Sequence, residues 1–261
     1  MLCEHFEEIA NNTWINLKDA KRLGIFYGEE TITNNILLYL ARLNLPSIKI
    51  IQTPKNIEAK QGTDWEWWIG SKNIGWLRYA VQAKKLYKSY YDQLNHKVGK
   101  EKKCQNIILK EYAEATKAIP LYALYNYIEL DNYKQFWNCK NSELVVTQFG
   151  CTVTPLKNVT KAIGEKGGRT FEKIHEFPET IPLKCLVCCP TILAIYQDKE
   201  AKKASMGKFG VEAKIYQSEE VSFLEKRTND SMESFHSELY DKKIYPKRVL
   251  VINLEEKNII I

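Results

Sequence analysis

A stripe of apolar positions with helical spacing is the strongest pattern in the chain. Its members recur at intervals of three and four residues, which predicts an amphipathic helix over residues 28–44 with one buried face. The stripe consists of Ile32, Ile36, Leu37, Leu40 and Leu43. Glu29 and Glu30 precede it, where the positive end of the helix dipole favours acids. Thr31 or Thr33 is expected to cap the start of this helix.

Segments with the period of β-strands follow this helix. They alternate between apolar and polar residues or are dense in aromatic and β-branched residues, as is typical of strands. The three predicted strands are residues 47–54, 64–70 and 76–86. Helical spacing returns over residues 102–119, and residues 121–130 are predicted to form another strand. Pro120 is expected to end the second helix.

The order of these elements is helix, strand, strand, strand, helix, strand. This order predicts an α/β fold with a central mixed β-sheet flanked by helices. Residues 1–24 are predicted to form an N-terminal helical segment of one or two short helices, and residues 25–130 the core. Residues 131–261 are predicted to be a C-terminal extension packed on the core, into which the same sheet continues, with a strand at residues 247–256. The length of 261 residues suits one large domain with such an extension.

Composition and charge narrow the class of protein only moderately. Apolar residues make up 44% of the chain, which is enough to bury a core. The net charge of +6 permits a polyanionic partner, although many solvated surfaces are equally basic. No run of 18 apolar residues occurs, and the N-terminus is acidic without an apolar stretch. We therefore expect no membrane span, no signal peptide and a cytoplasmic location.

The seven cysteines have no regular spacing, and their number is odd. Both features argue against a disulfide framework and favour a reducing compartment. Cys185, Cys188 and Cys189 resemble half of a zinc motif, but no second pair has a suitable spacing. A packing role for these three cysteines is therefore the favoured interpretation.

A polar constellation lies on the second and third predicted strands. Side chains two positions apart on a strand point to the same face, so Asp64 and Glu66 share one face, as do Gln82 and Lys84. The short turn between these strands makes them antiparallel neighbours. Burying so many polar groups in an apolar core would be costly, so we expect them to line a cleft or to bind an ion.

These residue types suit phosphodiester hydrolysis, which uses a hard cation held by oxygen ligands and an activated water. Asp64 offers a carboxylate, Gln82 an amide oxygen and Ala83 a backbone carbonyl, which makes them candidate metal ligands. Lys84 is the candidate group that contacts the attacking water or the phosphate. Glu30 is a further candidate acid from the first long helix, and Glu66 is a secondary candidate ligand.

Basic and aromatic residues follow the third strand directly. Lys85, Lys88, Tyr87 and Tyr91 are candidate contacts to a nucleic-acid backbone, with a solvated helix face as the alternative. Four tryptophans also lie in the two strands and could stack on bases, although burial in the core is favoured because tryptophan usually buries its ring. They are Trp65, Trp67, Trp68 and Trp76.

Two sequence motifs, GTDWEWWIG and YAVQAKKL, resemble a known superfamily. They are similar to the second and third strands of the PD-(D/E)XK phosphodiesterases, and closest to the Mrr-like branch, in which glutamine replaces the first acid of the third-strand motif. The same motifs resemble a bacterial family of unknown function. The resemblance covers residues 25–130. It implies a restriction-endonuclease-like fold, with Asp64 as the metal-binding aspartate and Gln82-Ala83-Lys84 as the (D/E/Q)-x-K triplet, and with Glu30 as the acid of the preceding helix.

The resemblance implies an endonuclease that depends on Mg²⁺ or Mn²⁺ and acts on DNA in preference to RNA. Defence of a bacterium against foreign DNA and a homodimeric assembly are further implications. Two departures from the superfamily pattern keep other functions open. No proline directly precedes Asp64, and Gln82 removes one negative charge from the site. The alternatives are an inactive nucleic-acid-binding or interaction module of the same fold, or a ribonuclease.

Overall fold

The structure is a computed structural model and describes residues 2–52, 63–99, 102–189, 214–224, 246 and 248–254. The helices are α1 Leu2–Leu23, α2 Glu29–Arg42, α3 Gln105–Thr116, α4 Leu156–Gly164, α5 Phe171–His175 and α6 Cys185–Cys188. The longer strands are β1 Ile48–Gln52, β2 Trp65–Ser71, β3 Gly75–Lys85, β6 Ile119–Tyr125, β7 Cys151–Pro155 and β10 Arg248–Asn253. The two-residue strands are β4 Lys97–Val98, β5 Lys103–Cys104, β8 Ile181–Pro182 and β9 Ile215–Tyr216.

One mixed sheet organises the described part of the chain. Its strand order is β1-β10-β2-β3-β6-β7-β8, and β9 pairs with the start of β3. The pair β2–β3 is antiparallel, whereas β3 runs parallel to β6 and β10 runs parallel to β2. Helices flank this sheet, and the predicted α/β class with a central mixed sheet is confirmed.

Both faces of β2 and β3 are covered, which explains their aromatic composition. Side chains such as Trp65, Trp67 and Val81 pack in one core cluster with residues of α1 and α2. On the other face, Tyr112 of α3 packs with Ala80. The four tryptophans of these strands are each at most 2% exposed, so their predicted role in the core is confirmed and they offer no stacking platform.

The helices near the N-terminus differ in detail from their predictions. The first is a single helix of 22 residues, where one or two short helices were expected. The second begins at Glu29 with Gly28 as its N-cap and has no side-chain cap. The expectation that Thr31 or Thr33 caps this helix is therefore wrong. The hydroxyl group of Thr33 instead bonds to the hydroxyl group of Tyr125 on β6, at 2.9 Å.

The boundary between α3 and β6 also lies elsewhere than predicted. The helix ends at Thr116 because Lys117 adopts a left-handed conformation with φ of 50°. The strand begins at Ile119 and includes Pro120, which was expected to end the helix. A proline is tolerated at the start of a strand, where few ladder hydrogen bonds are lost.

The C-terminal half supplies strands to the same sheet. Strand β7 pairs with β6, and β10 lies between β1 and β2. The predicted division into a core at 25–130 and an extension at 131–261 therefore corresponds to no boundary in the sheet. The last predicted strand, residues 247–256, is observed as Arg248–Asn253. Residues 53–54, 247 and 255–256 of the predicted strands lie outside the described residues, as do residues 190–213, 225–245 and 257–261 of the predicted extension.

One cysteine pair is bonded. A disulfide joins Cys3 of α1 to Cys188 of α6, with 5.6 Å between their Cα atoms. The other five cysteines are free. The expectation of no disulfide framework is therefore wrong for this one pair. Among the described helices, none combines the length and apolar composition needed to cross a membrane.

Candidate active site

The N-terminal end of β2 fixes the backbone of Asp64. Its backbone N–H donates to the carbonyl of Val81 on β3, at 3.1 Å. The hydroxyl group of Thr63 also lies within hydrogen-bond distance of Val81 O, at 2.5 Å, and of Trp65 O, at 2.8 Å. These bonds continue the antiparallel pairing of β2 and β3 by two residues and bring the Asp64 side chain beside the C-terminal half of β3.

The Asp64 carboxylate contacts two consecutive residues of β3. Its Oδ2 atom accepts a hydrogen bond from the Ala83 backbone N–H at 3.0 Å and another from the Gln82 side-chain amide. In an extended strand the N–H and C=O of one residue point to the same side, so the Ala83 carbonyl also faces the Asp64 side of β3. Rotation of the Gln82 amide by half a turn would present its oxygen to the same carboxylate.

Lys84 lies on the same face of β3 as Gln82 and is only 4% exposed. Its ammonium group is 3.9 Å from Oε2 of Glu29 at the start of α2. The other oxygen of Glu29 accepts a hydrogen bond from the Lys85 backbone N–H at 2.8 Å, which fixes that carboxylate beside the strand. The start of α2 therefore brings an acid against the last residues of β3.

A cavity of about 790 Å³ joins these groups. It lies between the start of α2, the ends of β2 and β3, and the start of α3. Its polar lining includes Glu29, Glu30, Asp64, Gln82, Lys84 and Gln105. The structure thus brings together in one cavity all four side chains predicted to carry the chemistry, namely Asp64, Gln82, Lys84 and Glu30.

The two neighbouring acids of α2 differ in their environment. The Glu30 side chain is 73% exposed and pairs with Arg248 of β10, at 3.2 Å. Glu29 is the acid that faces Lys84. The sequence pattern placed both acids at the start of this helix, and the resemblance singled out Glu30. Their roles depend on where the helix begins and on which strand lies beside it.

Glu66 does not take part in the cavity. It is fully buried and receives hydrogen bonds from Trp68 Nε1 at 2.6 Å and from the Tyr112 hydroxyl at 2.7 Å. Arg78 pairs with it at 2.7 Å. The secondary prediction that Glu66 is a metal ligand is therefore wrong, since both carboxylate oxygens are engaged in a packed network between β2, β3 and α3.

The predicted nucleic-acid contacts divide into accessible and inaccessible side chains. Tyr87 lines the cavity, and Lys88 is exposed. Tyr91 is fully buried and donates a hydrogen bond to Asn126 at 2.6 Å, so its predicted contact to nucleic acid is wrong. Tyr91 instead connects the segment after β3 to the end of β6.

Lys85 is already engaged within the protein. Its ammonium group donates to the Tyr27 carbonyl at 2.8 Å and lies over the rings of Phe26 and Tyr87. Burial lowers its pKa, and the Glu29 carboxylate opposes that shift. This lysine therefore stabilises the wall of the cavity, and Lys88 is the residue whose charge stays available to a polyanion.

Several residues of the cavity were not predicted. Phe26 is 81% exposed at the cavity mouth, an unusual exposure for an aromatic ring. His96 and Gln105 line the opposite wall, and within the described residues the Gln105 side-chain oxygen is buried without a hydrogen-bond partner. No periodic pattern marks these positions, because they lie in turns and at the ends of helices.

The donor set suits a hard divalent cation. Mg²⁺ and Mn²⁺ prefer oxygen ligands, and the Asp64 carboxylate, the Ala83 carbonyl and the rotated Gln82 amide supply three from two adjacent strands. The buried hydroxyl of Tyr122, on the neighbouring strand, lacks a hydrogen-bond partner among the described residues. Its pKa is raised by burial and, secondarily, by the negative charge of Asp64.

Comparison with known proteins gives a family without a known activity. The model of a family of unknown function, DUF6615, matches residues 2–258. No curated protein and no solved structure matches the chain.

Proposed function

We propose that this chain, which belongs to the DUF6615 family of unknown function, is a metal-dependent endonuclease that hydrolyses DNA phosphodiester bonds. The observation that carries the proposal is the arrangement of Asp64, Gln82, Ala83 and Lys84 around one open cavity. Oxygen donors for a hard cation and a buried ammonium group thereby meet at a place that a substrate can reach.

The order and pairing of the elements also support this proposal. The longer elements follow the order helix, strand, strand, strand, helix, strand that the sequence predicted. They are α2, β1, β2, β3, α3 and β6. The D…QxK residues lie at the start of β2 and near the end of β3, and these strands are antiparallel neighbours. The resemblance to the PD-(D/E)XK superfamily implies that the cleavage products carry a 5′-phosphate.

In this mechanism Asp64, the Gln82 amide oxygen and the Ala83 carbonyl would hold Mg²⁺ or Mn²⁺. The bound cation would polarise the phosphate and lower the pKa of a coordinated water. The Ala83 N–H orients the carboxylate of Asp64 for this task. Lys84 donates hydrogen bonds to the attacking water or to a non-bridging phosphate oxygen, where negative charge grows. Glu29 lies 3.9 Å from the ammonium group of Lys84 and positions it at the end of β3, where the side chain lines the cavity.

The cavity mouth supports nucleic acid as the substrate. The exposed ring of Phe26 and the half-buried ring of Tyr87 flank it, and Lys88 follows on the surface. Aromatic rings stack on bases and lysines neutralise phosphates, so these three residues are the proposed substrate contacts. A cytoplasmic location, a role in bacterial defence and a homodimer belong to the same proposal through the resemblance.

A binding module without turnover is the second candidate, and one observation favours it. The Gln82 amide hydrogen-bonds to the Asp64 carboxylate, an arrangement that satisfies the acid without a cation. Such a protein would bind nucleic acid in the presence of a chelator.

Supercoiled plasmid incubated with the purified protein tests the proposal. We expect nicking with Mg²⁺ or Mn²⁺, none with EDTA, and a loss on the order of 100-fold in Asp64→Ala and Lys84→Ala. Asp19→Ala and Lys110→Ala remove the same residue types from exposed helical positions and serve as matched controls.

Three outcomes would contradict the DNA nuclease. Undiminished cleavage by Asp64→Ala would remove the metal site from the chemistry. DNA binding that needs no cation, without any cleavage, would favour the binding module. Cleavage of RNA alone under the same conditions would identify a ribonuclease.

A further inference from the structure

A second cluster of potential ligands lies outside the active-site cavity. The thiol groups of Cys139, Cys185 and Cys189 lie within 4.8 Å of one another, and the sulfur atoms of Cys139 and Cys189 are 3.6 Å apart. All three residues are buried. The sequence suggested packing cysteines because the motif at 185–189 lacks a second pair. The fold supplies a further ligand from a different segment.

The distances suit a common metal ion. A tetrahedral zinc site with Zn–S bonds of about 2.3 Å has sulfur atoms about 3.8 Å apart. The separation of Cys139 and Cys189 is close to this value, and an ion drawn into the centre would shorten the longer separations. Soft thiolates select zinc over the hard cations expected in the active site.

Two independently anchored segments present these thiols. Cys185 begins α6 and Cys189 is its C-cap, so one turn of helix brings both sulfurs to one side. Cys139 lies in the long connection between β6 and β7. The side-chain amide of its neighbour Asn138 donates to the carbonyls of His175 and Thr180, each at 2.9 Å. The cluster is therefore held before any ion binds.

Two further contacts fix α6 itself. Lys184 pairs with Glu7 of α1 at 2.6 Å, and Cys188 of α6 forms the disulfide with Cys3 of α1. On the side of Cys139, the Ser142 hydroxyl donates to its sulfur at 3.2 Å, a bond that favours the thiolate form. These contacts hold the Cys139 sulfur opposite the two sulfur atoms of α6.

We propose that Cys139, Cys185 and Cys189 bind a zinc ion that ties the β6–β7 connection to α6. The described residues give three thiolates, and water supplies the fourth position. Binding of the ion to three thiols as thiolates releases three protons and changes no oxidation state. The ion would act as a structural staple for a long connection that has little regular secondary structure of its own. This inference is independent of the nuclease proposal, since none of the three cysteines lines the active-site cavity.

Metal analysis of the full chain, purified without oxygen, thiol reductants or chelators so that the Cys3–Cys188 disulfide is kept, tests the site. We expect about one zinc per chain, since three thiolates bind one ion. The ion should be released when a mercurial reagent blocks the thiols. Cys185→Ser should lose the zinc, whereas Cys104→Ser, which removes a free cysteine outside the cluster, should retain it.

A measurement on the wild-type chain keeps the test decisive if a cysteine variant fails to fold. After removal of zinc, addition of Co²⁺ should produce the visible bands of tetrahedral cobalt and the near-ultraviolet bands of cobalt thiolate. Added Zn²⁺ should abolish both and raise the melting temperature. Lack of zinc together with lack of these bands would overturn the proposal. So would a Cys139–Cys189 disulfide in protein purified without oxygen, detected by mass spectrometry of unreduced peptides.

Discussion

The Lys84 ammonium lies 3.9 Å from the Glu29 carboxylate, whose other oxygen is bonded to the Lys85 backbone N–H. This relationship assigns different tasks to two consecutive acids of α2. Glu29 contacts the strand that carries the candidate catalytic residues. Glu30 turns toward Arg248 and solvent. The proposed nuclease therefore has an acid that positions its lysine, and this acid is not the one that the motif alone indicated.

Replacing each acid by its amide separates these tasks. We expect Glu29→Gln to lower the rate of plasmid nicking about tenfold, because loss of about 1.4 kcal/mol of positioning energy at Lys84 corresponds to that factor. Glu30→Gln should change the rate much less, since an exposed ion pair contributes little. Initial rates at saturating Mg²⁺ measure both. A larger loss of nicking rate in Glu30→Gln than in Glu29→Gln would show that Glu30 is the acid that matters for the reaction.

Local sequence patterns were sufficient for the part of the fold that positions the site. Alternation and aromatic density located β2 and β3 within one or two residues, and the two-residue period then aligned Gln82 with Lys84. The antiparallel pairing of strands joined by a short turn brought Asp64 beside them. These features depend on residues that are close together in the chain, so they can be predicted from the local sequence.

Long-range pairing could not be predicted in the same way. Strand β10 enters between β1 and β2, although nearly two hundred residues separate it from either, because register and partner depend on the faces that become buried. The approach of Cys139 to α6 and the burial of Glu66 beneath α3 have the same origin. Each depends on which distant segments pack together, and the local spacing of apolar residues does not indicate this.

The second prediction concerns the glutamine of the triplet. Gln82→Glu would exchange the hydrogen bond from the amide to Asp64 for repulsion between two carboxylates. We expect a lower melting temperature in EDTA, a larger rise on addition of Mg²⁺, and half-maximal nicking at an Mg²⁺ concentration about tenfold lower. Melting curves and metal titrations of the nicking rate provide the measurements.

Gln93→Glu is the matched control for this substitution, because Gln93 also lines the cavity but lies on the 3₁₀ helix Asp92–Asn95 and not on β2 or β3. It adds the same charge without adding a ligand, so its Mg²⁺ requirement should stay near that of the wild type. Equal responses of the two variants would show that the cavity attracts cations only through its total charge.

The third prediction concerns the buried network around Glu66. Glu66→Gln would leave the Arg78 guanidinium without its carboxylate partner in a site that is fully buried. We expect a loss of about 3–5 kcal/mol in the free energy of unfolding, measured by urea denaturation. Glu114→Gln, which breaks the exposed pair with Lys110, should have a far smaller effect. A variant that folds as stably as the wild type but needs more Mg²⁺ would instead make Glu66 a ligand.

The fourth prediction follows from His175, whose imidazole is buried against the ring of Phe171. Its Nε2 lies 3.0 Å from the Thr152 hydroxyl and its Nδ1 lies 2.8 Å from the Phe171 carbonyl. Burial lowers the pKa of His175 to about 4 from its usual 6.5, and the bond to that carbonyl opposes the shift. The folded protein therefore keeps this ring neutral at pH values where the unfolded chain binds a proton.

The sign of the resulting pH dependence is fixed by this difference. The contribution of His175 to stability is complete above pH 6.5 and declines as the pH falls toward the pKa of about 4 in the folded state. Between pH 6.5 and about pH 5 the loss should be about 2 kcal/mol in the free energy of unfolding. His175→Gln should lose less stability over that interval, whereas His96→Gln, at an exposed histidine, should behave as the wild type does. Urea denaturation at both pH values measures the effect, and equal pH dependence in all three proteins would mean that His175 is protonated within the fold.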